Sequence, residues 1–248
     1  MNINDFVSNQ TAANYLGNNA SSQSTARVST AAAAGLQKAE KRIQTQVDTT
    51  SSQLSSFGKL KSAVSDTQIA ARALGSLSST ATPAAEKTAA NSFVSAFNSA
   101  ITASKATAAV PGETNAAASS AGRVNKDFLR TIGADTATID SLKKVGFSMN
   151  ASGSLVLDAK KFDAAQKADP AAVRATLTKI GQQVDKTAAQ ELSTSGNVGV
   201  SLSSLNQRAA LLKSQQSALT SLGQSTTSSQ SSTSSNAFNY GLSAYQNS

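Results

Sequence analysis

The side chains that could carry acid/base chemistry are a few carboxylates, and their spacing is the first thing to weigh. Asp135 and Asp140 are five residues apart, as are Asp158 and Asp163. Residues that face each other on a helix are three or four apart, so neither pair shares a helical face. Two carboxyl groups must flank one bond to share acid/base work. We therefore predict that these aspartates cap helices or lie on the solvated surface.

Other chemistry is excluded by composition. The chain contains no cysteine and no histidine, which removes disulfides, thiol catalysis, Cys/His zinc sites and histidine acid/base schemes. It carries no nucleophile elbow, phosphate-binding loop, zinc-protease helix or dinucleotide fingerprint. The turn at Asn150 lacks the acidic ligand density of a calcium loop. The sequence predicts a protein that is not an enzyme and has no cofactor or metal.

Charge and hydropathy limit the partners. There are 22 Lys+Arg against 14 Asp+Glu, a formal charge of +8, but the basic residues are spread thinly and are not interleaved with aromatics. This predicts no nucleic-acid partner. No run approaches the roughly 20 apolar residues of a membrane span, so no membrane insertion is expected. The first seven residues lack a basic region and an apolar core, so we expect export without a cleaved signal peptide.

The scarcity of large apolar side chains defines the fold class. The hydrophobic fraction is 39% but aromatics are only 4%, which favours long helices with narrow apolar seams. We predict a mainly α protein with a helical stalk domain over 31–222. Polar composition predicts a disordered N-terminal tail at 1–30, a candidate export signal, and a disordered C-terminal tail at 223–248.

Two stretches near opposite ends carry a seven-residue apolar repeat. In the first, over 31–77, Thr50 stands within the series, and Glu40 and Lys61 interrupt the position four residues later. These stretches predict a coiled-coil-like bundle of long N- and C-terminal helices. The pattern fits packing within one chain and packing between copies equally well. The predicted seam consists of Leu36, Ile43, Val47, Leu54, Phe57, Val64, Val198, Leu202, Leu205, Leu212 and Leu219.

Between these stretches the pattern predicts shorter elements. Apolar residues spaced by four at Phe93, Phe97 and Ile101 indicate a helix over 84–108. Ala/Ser-rich residues 112–122 are expected to form a loop. Short helical signals follow around Phe128 and Ile139.

Residues 142–180 are predicted to form a small β-hairpin with short helices, packed beside the bundle. Alternation at 145–149 indicates a strand, Asn150 and Gly153 supply a turn, and 154–157 returns. Asp158 is an N-cap for a helix that ends at 169, where Asp-Pro also starts the next helix. That second helix has Val173, Leu177 and Ile180 as its apolar stripe.

The hairpin unit resembles the C-terminal part of the flagellar filament-capping protein family, hook-associated protein 2. Segments 53–74, 92–103 and 204–222 are also similar to helices of that family. The large β-rich domains usual between its two helical parts have only residues 78–92 at their place, so the resemblance is to a reduced member. The positions that match in order are Leu142, Gly146, Gly153, Leu155, Leu157, Asp158, Phe162, Asp163, Asp169, Pro170 and Val173.

The resemblance implies a secreted structural protein of the bacterial flagellum that promotes flagellin assembly at the filament tip. It implies a homo-oligomer held by terminal helices, with flagellin or hook–filament junction proteins and the flagellar export apparatus as partners, and an extracellular location. The alternative is a cytoplasmic or secreted export accessory or regulator that binds one axial subunit through a helical seam.

Overall fold

The fold is mainly helical, as the sequence predicts. The computed structural model describes the backbone of residues 22–112, 116–133 and 135–246, and the side chains of residues 32–112, 116–133 and 135–225. In chain order the elements are α1 (Ser22–Gly75), α2 (Pro83–Ala108), α3 (Ala116–Ile132), α4 (Thr136–Lys144), β1 (Phe147–Met149), β2 (Leu155–Leu157), α5 (Ala159–Ala168), α6 (Pro170–Leu192) and α7 (Asn197–Gln246).

The chain divides into two compact units. The central unit is Thr45–Ser214, and the end unit combines Met1–Gln44 with Gln215–Ser248. The hydrophobic core lies in the central unit, where α2 packs against α3 and β2, and α6 packs against α3 and α5. Aromatic rings occupy its middle: Phe97 lies 6.0 Å from Phe93 and 5.8 Å, edge to face, from Phe128. Such pairs stabilise a core beyond their buried area.

The helix boundaries of residues 158–170 follow the predicted signals. The Asp158 carboxylate accepts the backbone N–H groups of Lys160 and Lys161 and so caps α5. Asp169 ends α5 in a non-helical conformation, and its carboxylate accepts the N–H of Ala172 to cap α6. Pro170 starts α6, where its missing N–H has no cost. One Asp-Pro step therefore closes one helix and opens the next.

The β-hairpin is confirmed, with a shorter first strand. Register pairs Phe147 with Leu157 and Met149 with Leu155. The turn is held by the Asn150 side-chain oxygen, which accepts the N–H groups of Ser152 and Ser154. The prediction that strand β1 starts at 145 is wrong, because α4 runs to Lys144. The chain then reverses at Gly146, where φ is +88°, and only the three residues after it extend.

One side chain that sequence reasoning missed completes this small sheet. The Asn98 amide of α2 donates to the Leu155 carbonyl at 2.8 Å and accepts the Leu155 N–H at 2.7 Å. It thereby satisfies the edge of β2 as a third strand would. An isolated two-stranded hairpin is marginal in water, so this amide fixes the hairpin to α2.

One other expectation differs from the structure. The predicted loop at 112–122 is wrong, since α3 begins at Ala116. Its first turns bury Ser120 and Ala121 in line with Val124 and Phe128, and small side chains let that face approach its neighbours. The backbone of α7 is described as far as Gln246, and the disordered tail predicted at 223–248 stays a prediction. Side chains from 226 onward, and all of 1–21, lie outside the described residues.

A close helix contact between α1 and α6 depends on two glycines. A Cβ on Gly181 would lie 2.6 Å from the Ala71 carbonyl oxygen and 2.8 Å from the Gly75 Cα, and would also overlap the Gly75 nitrogen. A Cβ on Gly75 would in turn meet Gln182 at 3.1 Å. Only glycine at 181 permits this backbone separation.

We expect Gly181→Ala to lower the free energy of unfolding by about 2 kcal/mol or more, because the new methyl group forces the two helices apart. Gly58→Ala is the matched control. Gly58 is exposed within α1, which runs through it without a break, and a Cβ there meets nothing within 4 Å. The control should raise stability by about 0.5–1 kcal/mol. Urea denaturation of both variants measures the difference, and equal effects would contradict the contact.

Candidate assembly surface

The carboxylates considered first for chemistry cap helices, pair with a lysine or lie on the surface. Asp135 caps α4, accepting the Thr138 N–H at 2.6 Å and the Thr138 hydroxyl at 2.9 Å. These bonds, led by the backbone N–H, lower the pKa of Asp135. The Lys87 ammonium donates to both carboxylate oxygens of Asp163, at 2.7 and 2.8 Å. Asp140 is exposed. The two proposed pairs are therefore not brought together as acid and base.

A buried charge that sequence reasoning missed joins α2 to α5 and α6. The Glu86 side chain is 1% exposed and accepts Arg174 Nε at 2.7 Å and Gln166 Nε2 at 2.9 Å. Gln166 also donates to the Pro83 carbonyl. A signal for it exists in the sequence, since Glu86 precedes Ala90 by four residues on the apolar face of α2. This network closes the core at the start of α2.

The N-terminal half of the predicted seam lies along α1. Within the central unit Phe57 and Val64 are fully buried, Thr50 is 1% exposed, and Val47 and Leu54 are half-buried. In the end unit Ile43 is 7% exposed and Leu36 is half-buried. In the central unit, the first position of the seven-residue repeat on α1 is therefore buried in the core.

The most buried second position of this repeat is not the one that the sequence indicates. The sequence placed it four residues after the first, at Val47 and Leu54, with Glu40 and Lys61 as interruptions. Those side chains are half-buried or exposed. The buried second position lies three residues after the first. Polar residues at this position mask the apolar pattern in the sequence. Thr67, for example, is buried but donates to the carbonyls of Ala63 and Ala96. Its members are Gln53, Leu60, Thr67 and Leu74.

The C-terminal half of the predicted seam lies along α7. In the central unit Val198, Leu205 and Leu212 are buried and Leu202 is half-buried. Val198 and Leu205 belong to the same core cluster as Phe57 and Val64. Leu219, in the end unit, is half-buried. Most of the central seam is therefore intramolecular core, and its side chains are covered by their own chain.

A different face of α7 stays exposed. Val200 and Leu211 are 49% and 59% exposed in the central unit, and Leu222, in the end unit, is 47% exposed. Val200 and Leu211 are eleven residues apart, about three helical turns, so along α7 they share one face. We call Val200 and Leu211 the outer stripe. Ile69 of α1, at 63%, is the most exposed large apolar residue of the described chain.

The end unit contains parts of two helices, from α1 and α7. Gln216 Nε2 of α7 donates to Gln44 Oε1 of α1 at 3.1 Å. Of the large apolar side chains described in the end unit, Ile43 is buried, Leu36 and Leu219 are half-buried and Leu222 is exposed. A helix of another chain can bury apolar surface that is exposed to solvent in one chain.

Two negative observations apply to the described residues. Among them, no three acidic side chains lie together in a group that could hold a metal ion. None of the helices described is both long and apolar enough to cross a bilayer.

The structure thus defines a mainly helical protein with an inward apolar seam, a small hairpin unit and an exposed stripe on its last helix. The family model of the flagellar hook-associated protein 2 C-terminus matches residues 76–238, so the chain belongs to that family. It is a flagellar, structural family, associated with assembly and oligomerisation. The match covers the hairpin unit and the segments 92–103 and 204–222. Segment 53–74 lies outside it, and its resemblance stays a prediction.

No curated protein and no solved structure matches the chain. The short chain fits a reduced member of the family: where the resemblance expects large β-rich domains, α1 ends at Gly75 and α2 begins at Pro83.

We expect Arg174→Met to lower the free energy of unfolding by about 3 kcal/mol at neutral pH, because it leaves the Glu86 charge buried without its partner. Arg72→Met is the matched control: Arg72 pairs with Asp185 at 3.2 Å, but its side chain is 65% exposed. Its loss should cost less than about 1 kcal/mol. Denaturant titration compares the two variants, and similar costs would contradict the role given to the buried pair.

Proposed function

We propose that this protein is an exported structural component of the flagellum that self-associates through its terminal helices and promotes flagellin assembly at the filament tip. Membership of the family carries the flagellar context. The finer role is supported by the outer stripe, since an assembly of copies needs exposed apolar surface and the central seam is already covered. Flagellin or hook–filament junction proteins would be its neighbours in the filament, and the export apparatus its route out.

The surface proposed for self-association differs from the seam expected from sequence. Phe57, Val64, Val198 and Leu205 close the fold of one chain. Contacts between copies would use the outer stripe of the central unit. Single exposed apolar residues are ordinary on a protein surface. Val200 and Leu211 lie on one face of α7, and a helix of a second copy that packs along this face would cover both.

The short connection between α1 and α2 shapes this proposal. Residues 76–82 leave no room for a further domain at the place where large β-rich domains are expected. The reduced protein would therefore act as the stalk of a cap, binding through helices and not through outward domains. The alternative, an export accessory that binds one axial subunit, would use the same exposed stripe for a helix of its partner.

The location of the protein in growing cells separates these two functions. Fractions of cytoplasm, medium and sheared filaments are probed for the protein, and a deletion strain is probed for flagellin in the medium. The cap function predicts protein on filaments, with flagellin released in its absence. Protein confined to the cytoplasm throughout filament growth, with normal filaments after deletion, would refute it and favour the accessory.

Self-association is tested on the purified full chain by solution mass over a range of concentrations. We expect mass to rise with concentration, and Leu211→Ser to weaken association at least tenfold, since burying a leucine contributes about 1.5–3 kcal/mol. Ile69→Ser is the control, as it removes an equally exposed apolar side chain from α1. A monomer at every concentration, or equal effects of the two substitutions, would contradict the proposed surface.

A further inference from the structure

Four exposed lysines flank the β-hairpin in the sequence. Two of them end α4, and the other two lie in the first turn of α5. We call this group the lysine junction, and its members are Lys143, Lys144, Lys160 and Lys161. Of the acids in the described chain, Asp158 alone forms an ion pair with any of them, at 4.0 Å from Lys161 Nζ. The junction is therefore a strongly positive surface.

Backbone contacts at Gly146 bring the two pairs of lysines together. The Gly146 N–H donates to the Lys143 carbonyl at 3.2 Å, and the Gly146 carbonyl accepts the Asp158 N–H at 2.9 Å. A Cβ placed on Gly146 would lie 3.2 Å from the Lys161 Cβ and 3.0 Å from the Phe162 nitrogen. The end of α4 thus touches the first turn of α5. Charges this close act on a partner together, since salt screens them only over about 8–10 Å.

The positions of Lys160 and Lys161 are unfavourable for α5 itself. The N-terminus of a helix carries a partial positive charge, so cations in the first turn oppose the helix dipole. The Asp158 carboxylate offsets part of this effect, because it accepts the backbone N–H groups of both lysines. It does not neutralise the four ammonium groups of the junction. The fold leaves most of this charge exposed, where an acidic partner would neutralise it.

The chemistry of the junction fits carboxylates that are spaced along a polypeptide. The junction has no arginine, the side chain whose planar fork binds phosphate bidentately. The N–H groups that the start of α5 could offer to an anion are already bound by Asp158. The neighbouring aromatic side chains, Phe147 and Phe162, are buried, so they offer no stacking surface for a nucleic-acid base. These features disfavour nucleic acids and compact phosphates.

An exposed apolar side chain lies beside the junction. The hairpin pairs Ser148 with Val156, one step along the strands from the contact between Gly146 and Asp158. Such a step of two residues is about 7 Å. Ser148 is exposed, and Val156 is 46% exposed. A segment bound at the junction would therefore meet an apolar side chain next to the positive charge.

We propose that the lysine junction and Val156 form a docking site for an acidic segment of a partner protein, in which an apolar side chain stands among the carboxylates. The ammonium groups attract the carboxylates, and Val156 adds an apolar contact. A second copy of this chain is disfavoured as the occupant, because its formal charge is +8. The site uses α4, α5 and the hairpin, whereas self-association is assigned to α7. The proposal is therefore independent of the proposed function.

The test measures binding of a fluorescent peptide to the purified full chain, from low to physiological salt. The peptide alternates glutamate with serine and carries one leucine at its centre. A matched peptide has glutamine in place of every glutamate. We expect saturable binding of the glutamate peptide that weakens as salt rises, and no binding of the glutamine peptide. No binding of the glutamate peptide at low salt, or equal binding of both peptides, would overturn the proposal.

Two variants with the same loss of charge locate the site. The junction variant replaces all four of its lysines by glutamine, and we expect it to weaken binding about tenfold or more. The control variant replaces four exposed lysines of α1, α3 and α6 by glutamine and should weaken binding much less. Those lysines are Lys59, Lys61, Lys126 and Lys186. Circular dichroism checks that both variants keep their helices. Equal effects would show that binding follows overall charge, which contradicts a docking site.

The apolar contact and the class of partner are tested on the same samples. Val156→Ser should weaken binding of the glutamate peptide and leave its salt dependence unchanged; an unaltered affinity would remove Val156 from the site. A single-stranded oligonucleotide and vesicles of anionic lipid serve as rival probes. If either binds more tightly than the glutamate peptide, and loses that binding in the junction variant, the partner is not an acidic protein segment.

Discussion

The fold depends on the burial of a narrow apolar seam in a chain with few large apolar side chains. Aromatics are 4% of the sequence, and the rings of Phe93, Phe97 and Phe128 pack together in one place, tilted and edge to face. Elsewhere the helices must approach closely to exclude water, which explains the contact of Gly181 with α1. Dispersion and apolar burial are gained by proximity when they cannot be gained by side-chain size.

Buried polar networks join the elements that the small apolar core does not hold together by itself. Asn98 completes the hairpin, the Glu86–Arg174–Gln166 network closes the start of α2, and Glu191 ties α6 to α7. The first two join elements that are distant in sequence, and the third joins consecutive helices. Each is costly to break because a buried polar group would be left unpaired. Specificity of the helix arrangement thus comes from a few buried polar contacts. The apolar seam drives the helices together, and these contacts determine how they meet.

Much of the local structure could be predicted from sequence, because its signals are local. The Asn150 turn, the Asp158 cap and the Asp169-Pro170 boundary each act within a few residues. Burial was harder to predict. Val47 and Leu54 matched a heptad by residue type, yet Gln53 and Thr67 occupy the buried position because long-range contacts satisfy or cover them. The prediction of a loop at 112–122 was wrong because alanine and serine suit a close helix contact as well as a loop. The assembly role of the seam residues stays a prediction.

In the central unit the apolar seam is covered and the outer stripe is exposed, and site-directed crosslinking tests this division directly. The chain has no cysteine, so each single-cysteine variant reports one position. Leu211→Cys should form disulfide-linked copies on mild oxidation at concentrations where the protein self-associates. Val64→Cys, in the core, and Ile69→Cys, exposed on α1, should remain uncoupled. Coupling through position 64, or equal coupling through 69 and 211, would contradict the account.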